Sequence, residues 1–124
     1  MDQSSLVASG HQLIDVLTKA GIGPRAAVWV HNTDTDTWRL WIVPPEEITD
    51  KRDFYRRVSE VISKNRANLP NLNISDTEFI TADNRVIQAL RRIFRVKEFG
   101  AIMISSTMFN GVQLPDGIIL LMDF

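Results

Sequence analysis

At 124 residues, 44% hydrophobic and 23% charged, with a formal net charge of −1, the chain has the size and balance of one ordinary globular domain, which excludes a disordered polar chain and a pair of full domains. It contains no cysteine, so disulfide frameworks, thiolate zinc sites and cysteine nucleophiles are excluded together. Its longest apolar runs, Ala26 to Val30 and Ile118 to Met122, are five residues each and Met1-Asp-Gln-Ser-Ser lacks signal-peptide character, so a cytoplasmic protein with no membrane partner is expected.

Leu6, Leu13 and Leu17, with Val7 and Ile14 beside them, recur at helical spacing until Gly21-Ile-Gly-Pro24 ends the pattern, which predicts a first helix. Gly10 lies inside it and should weaken the helix by about 1 kcal/mol relative to alanine, leaving the first turn open to fraying. Arg25 to Asn32 and Thr37 to Val43 then read as two strands of a hairpin around Thr33-Asp-Thr-Asp36. If Asn32 faces Thr37, then Ala27, Trp29, His31, Trp38, Leu40 and Ile42 share one face, and Val28, Val30, Arg39, Trp41 and Val43 share the other. Both faces are largely apolar, so these strands are expected to be central and covered on both sides, by helices or by a second copy of the chain.

Pro44-Pro45 stops the second strand, and Asp50 is the N-cap candidate for a second helix over roughly residues 51 to 67, with Phe54, Val58, Val61 and Ile62 as its buried stripe. Residues 68 to 73 read as a loop and Ile74 to Ile80 as a short strand. Thr81-Ala-Asp83 supplies the cap candidate for a third helix with Val86, Ile87, Leu90, Ile93 and Phe94 on its apolar face, ending near Lys97. Gly100 to Ser105, Gly111 to Leu114 and Ile118 to Met122 are strand-like. Leu114-Pro-Asp-Gly117 has the residue order of a tight turn, so an antiparallel meander is expected to close the fold. The expected class is therefore α+β, a single domain over residues 1–124 with about three helices on a mainly antiparallel sheet.

Few residues have the pattern of a reaction centre. His11 and Asp15 fall four apart on a helix, the spacing of an ordinary surface pair. His31, Asp34 and Asp36 could supply oxygen and nitrogen ligands, and positions 32, 34 and 36 have calcium-loop spacing, but Thr37 stands at the glycine position of such a loop and Val43 at its glutamate. Glu46-Glu47 precedes a helix, where the dipole favours acids, and Asp76 with Glu78 lacks the lysine expected of a metal-dependent nuclease strand. Gly21-Ile-Gly23 leads into proline and a strand, unlike a phosphate-binding loop, and Ser105-Ser106-Thr107 has no nucleophile-elbow glycines.

Charge is unevenly distributed. Residues 51 to 97 hold eleven basic and five acidic residues, net +6, and the remainder holds three basic and ten acidic, net −7. On the second helix, Asp53 can meet Arg57, and Glu60 can meet Arg56 and Lys64, at four-residue spacing. On the third, Gln88, Arg91, Arg92 and Arg95 form a polar stripe with no local acid, a cost that phosphate, an acidic partner or the acidic remainder of the chain would offset.

These readings assign no catalytic residue, metal ligand or cofactor. They predict a small non-enzymatic binding or adaptor protein, self-associating through Trp29, Trp38 and Trp41, with Gln88, Arg91, Arg92, Arg95, Arg56 and Arg57 as a basic surface for an acidic protein partner or nucleic acid. The alternative is a small metal-dependent hydrolase or nuclease using some of Asp34, Asp36, Asp76 and Glu78.

Overall fold

The computed structural model describes residues 2–97 and 99–124. Three helices, α1 (Gln3–Lys19), α2 (Lys51–Lys64) and α3 (Arg85–Ile93), pack on a five-stranded sheet made of β1 (Ala26–Asn32), β2 (Thr37–Val43), β3 (Thr77–Phe79), β4 (Ile102–Ile104) and β7 (Asp116–Met122). A separate two-stranded ribbon is formed by β5 (Thr107–Phe109) and β6 (Val112–Leu114). The fold is α+β, with main-sheet order β3-β2-β1-β7-β4, antiparallel except for the β2–β3 pair.

The hairpin forms in the expected register, Asn32 opposite Thr37 and Trp29 opposite Leu40. Its two apolar faces feed two separate cores. Ala27, Trp29, Leu40 and Ile42, with Ile118 and Leu120 of β7, pack against Leu6, Leu13 and Leu17 of α1 and Phe54, Val58 and Ile62 of α2. Val28, Val43, Ile119 and Met122 pack against Ile87 and Leu90 of α3 and Leu114 of β6, with Trp41, Phe109 and Val112 partly buried around them. The cover on both faces therefore comes from the chain's own helices and ribbon. Burying a large aliphatic side chain contributes about 1.5–3 kcal/mol, so a strand apolar on both sides needs two such covers.

Helix boundaries follow local chemistry. Asp2 caps α1 by accepting from the Ser5 N–H at 2.8 Å, and Asp50 caps α2 by accepting from Asp53 at 3.0 Å. The cap of α3 is Asn84, one residue beyond the expected Thr81–Asp83 segment, and its side chain accepts from Val86 and Ile87 at 2.9 and 3.2 Å.

Three expectations are corrected. First, α3 stops at Ile93 instead of continuing to Lys97: Phe94 is extended, and Val96 is buried while exchanging backbone hydrogen bonds with Met122. A strand contact that satisfies both backbone groups of Val96 and buries its side chain outweighs another helical turn. Second, residues 74–76 are a 3-10 turn, so the strand begins only at Thr77, whose buried hydroxyl donates to the Ile74 carbonyl at 2.7 Å.

Third, no C-terminal meander forms. The tight turn lies at Asn110-Gly111, both at positive φ (48° and 78°), as a two-residue hairpin loop requires, and it joins β5 to β6. Pro115 then separates two sheets, and β7 enters the main sheet between β1 and β4.

Helix α1 comes close to the sheet at Gly10. A Cβ there would collide with Leu120 and come within 2.9 Å of the Trp29 indole nitrogen, which donates to the Leu6 carbonyl at 2.8 Å. Helix propensity alone would make Gly10→Ala stabilising by about 1 kcal/mol. We expect the opposite sign, a loss of about 1–3 kcal/mol from overpacking and a Tm lower by several degrees; an unchanged or raised Tm in a thermal melt would show that α1 can move away from the sheet without loss.

Candidate functional site

The predicted basic residues divide between the two faces of the sheet. Arg56 and Arg57 lie on α2, which covers the face formed by Trp29 and Leu40; Gln88, Arg91 and Arg92 lie on α3, which covers the face formed by Val28 and Val43. The two groups do not form one surface.

The α2 group is locally neutralised. Asp53 takes Arg56 at 2.5 Å and Arg57 at 3.2 Å, and Arg56 also reaches Glu60 at 3.2 Å, the exposed i,i+3 and i,i+4 pairs of an ordinary solvated helix. The hydrogen bond from Arg56 holds the Asp53 carboxyl below its ordinary value against an opposing desolvation effect, with the Arg57 charge adding to the lowering, and the same bond raises the Arg56 guanidinium. A depressed carboxylate stabilises the fold above its ordinary pKa, and that contribution is lost as pH falls through the lower folded value.

On the α3 side, two of the three expected arginines have partners elsewhere in the chain. Arg91 Nε donates to the Phe124 carbonyl at 3.0 Å with its guanidinium 4.1 Å from the Phe124 ring centroid, and Arg95, beyond the helix end, pairs with Asp123 at 3.3 Å. The i, i+3, i+4, i+7 stripe is therefore not realised, because its last member stands on extended backbone. Arg92 and Arg85 are exposed, and neither side chain forms an ion pair or hydrogen bond with another described residue.

Arg85 and Arg92 line a cleft of about 190 Å³ with Asp83, Gln88, Ala89, Phe109, Asn110 and Val112. Gln88 is fixed there by donating to the Ala82 carbonyl. Phe109 also forms a wall of a second, mostly apolar groove of about 310 Å³, lined by Ile93, Phe94, Met103, Ile104, Met108 and Leu114 among others. Ile93, Met103 and Met108 are 41%, 54% and 61% exposed. Large apolar side chains exposed together mark interaction surfaces more than scattered single ones do.

Sequence reasoning missed this apolar half. The available signal was Asn110-Gly111 between Thr-Met-Phe and Val-Gln-Leu, which places a ribbon carrying Met108 and Phe109 beside α3.

The tryptophans are dispersed. Trp29 is 1% exposed in the first core, Trp41 packs on the second, and Trp38 stacks on His31 with ring centroids 4.6 Å apart. Trp38 shares a cleft with Asp36 and Asp76, so its surroundings are acidic.

Two of the four metal-hydrolase candidates, Asp36 and Asp76, already have local hydrogen-bond partners for their carboxylates. Asp36 lies 2.9 Å from His31, Asp76 accepts from the Asn73 N–H at 2.8 Å, and Asn32 accepts from the Asp34 and Thr35 N–H groups. Among the described residues, no three His, Asp or Glu side chains group so as to hold a metal ion, and no helix is long and apolar enough to cross a membrane. His11 lies 2.7 Å from the Gly100 carbonyl, while Asp15 pairs with Lys19. Comparison with protein-family models, curated proteins and solved structures returns no match.

The charge assignment on α2 is directly measurable. In a carboxyl NMR titration, Asp53 should titrate below 3.8, and Arg56→Gln should move it back toward that value by more than Arg57→Gln does. Equal responses to the two substitutions would show that bulk positive charge, and not the Arg56 hydrogen bond, sets the shift.

Proposed function

We propose that this chain is a non-enzymatic cytoplasmic binding module that recognises an acidic protein partner through the surface made by α3 and the β5–β6 ribbon. One observation carries the reading: Arg85 and Arg92, without acidic ion-pair partners among the described residues, line a cleft that shares Phe109 with the apolar groove lined by Ile93, Met103 and Met108.

The combination favours a protein partner over a nucleic acid. A phosphate backbone calls for a continuous cationic track with stacking rings. Here Arg91 and Arg95 are held by Phe124 and Asp123, and the half-exposed Trp38 sits beside Asp36 and Asp76 in a different cleft. Guanidinium groups beside aliphatic and methionine side chains suit a protein surface carrying carboxylates and apolar anchors.

The reading predicts that a fluorescently labelled peptide of mixed Glu and Leu residues binds with a shallow salt dependence, and that Arg92→Glu combined with Arg85→Glu weakens it about tenfold or more, equivalent to ~1.4 kcal/mol. Anisotropy titrations against this peptide, single-stranded DNA, duplex DNA and RNA at low and near-physiological salt decide the matter. Steeply salt-dependent nucleic-acid binding that disappears in the same double variant would replace the protein partner with a nucleic acid, and no binding of either class would end the reading.

A further inference from the structure

Arg85, Gln88, Ala89 and Arg92 stand at i, i+3, i+4 and i+7 of α3, so they share one face of the helix, and all four line the cleft of about 190 Å³. The facing wall is the ribbon, through Phe109 and Val112, which lie opposite one another across β5 and β6. The cleft is therefore a trough along two turns of α3. Ala89 gives it a buried apolar floor, and its two ends are cationic, Arg85 at one and Arg92 at the other. Seven residues of helix set the backbones of those ends about 10.5 Å apart.

From this arrangement we propose that the trough recognises an extended segment of the acidic partner that carries two carboxylates three residues apart, one for Arg85 and one for Arg92. The inference rests on the acidic-partner reading above and specifies the spacing that the partner presents.

Space and periodicity select the occupant. Two turns of a helix would fill roughly 800 Å³, several times the trough, and the ribbon already covers Ala89. A β-strand places same-side residues about 6.7 or about 13 Å apart, short of the arginine separation or beyond it. In a polyproline-type chain three residues complete a turn and rise about 9.3 Å, so side chains at i and i+3 leave the same side at nearly that separation. Gln88, between the arginines, donates to the Ala82 carbonyl through its amide nitrogen, and its amide oxygen remains able to accept an N–H of the segment.

Charge complementarity favours a partner over a second copy. In this chain acids stand three residues apart only at Glu47 with Asp50 and at Asp50 with Asp53. Both pairs use the Asp50 carboxylate, which already caps α2. The trough also holds an acid of its own, Asp83, two residues before Arg85, whose charge opposes an incoming carboxylate.

The test titrates the full chain with proline-rich, leucine-flanked peptides of one composition, their two glutamates adjacent, three residues apart or six residues apart, while NMR follows the arginine Nε–H signals. The proposal expects the three-residue spacing to bind about tenfold or more tighter than either isomer and to move the signals of both Arg85 and Arg92. Arg85→Gln and Arg92→Gln should each abolish that preference. Arg52→Gln, the same loss of charge at an exposed position on α2, should leave it unchanged. Asp83→Asn should raise the affinity about two- to fivefold by removing a like charge.

The two readings fail separately. Equal affinity for the three isomers, or failure of all three while the mixed Glu and Leu peptide still binds through Arg85 and Arg92, overturns the spacing and leaves the acidic-partner reading intact. Failure of the mixed peptide as well removes both. Tighter binding of inorganic phosphate than of the spaced pair would make the trough a single-anion site and overturn the proposal. So would self-association of the free protein that is lost on Asp50→Asn, because it would give the trough to a second copy.

Discussion

The central pair β1 and β7 is apolar on both faces, and most of the architecture follows from that constraint. Ala26 to Val30 and Ile118 to Met122 cannot leave either side to water, so the chain must provide two covers, one from α1 and α2 and the other from α3 with the β5–β6 ribbon. The two cationic helices, close in sequence, are thereby placed on opposite sides of a sheet. A net +6 over residues 51 to 97 describes a stretch of sequence and not a patch of surface.

The same demand for burial determines where α3 ends. Continuing to Lys97 would have aligned Arg91, Arg92 and Arg95 along one helix and left Val96 in a helical turn. The chain instead extends at Phe94, and Val96 joins Met122 at the sheet. This brings the segment after β7 beside α3, where Asp123 meets Arg95 and Phe124 meets Arg91. Repulsion among three helical arginines is thus relieved by tertiary contacts. The Arg95–Asp123 pair is solvent-exposed, so it contributes at most about 1 kcal/mol; with Arg91 and Arg95 held, Arg92 alone of the three has no side-chain partner among the described residues.

How much of this was legible in the sequence depended on the range of the interaction. Two-residue alternation specified the β1–β2 register, helical periodicity specified the α2 stripe of Phe54, Val58, Val61 and Ile62, and the Asp50 cap lay beside the helix it starts. Each is a contact between near neighbours. The end of α3, the pairing of β7 with β1, and the partners of Arg91 and Arg95 depend on residues 26 to 96 positions apart. Gly10 shows both levels at once, since it is unfavourable in an isolated helix and required where that helix meets Leu120 and Trp29. The Asn110-Gly111 turn was local and readable; with Pro115 so near, the turn signal was placed five residues too late.

The candidate surface is assembled from segments that the local pattern leaves incomplete. Ile93 ends a helix, Met103 sits on a three-residue edge strand, and Met108 lies on a ribbon too short to be stable alone. The ribbon is held by Leu114 in the second core, so burial at one end keeps Met108 and Phe109 beside α3. Nothing in that packing requires Met108 to be apolar, because it faces outward. Its fold would tolerate a polar residue there, which separates the stability of the ribbon from the chemistry it presents. A methionine exposed on a scaffold fixed by other residues therefore contributes little to folding, and the apolar surface it offers is what the proposed partner reading draws on.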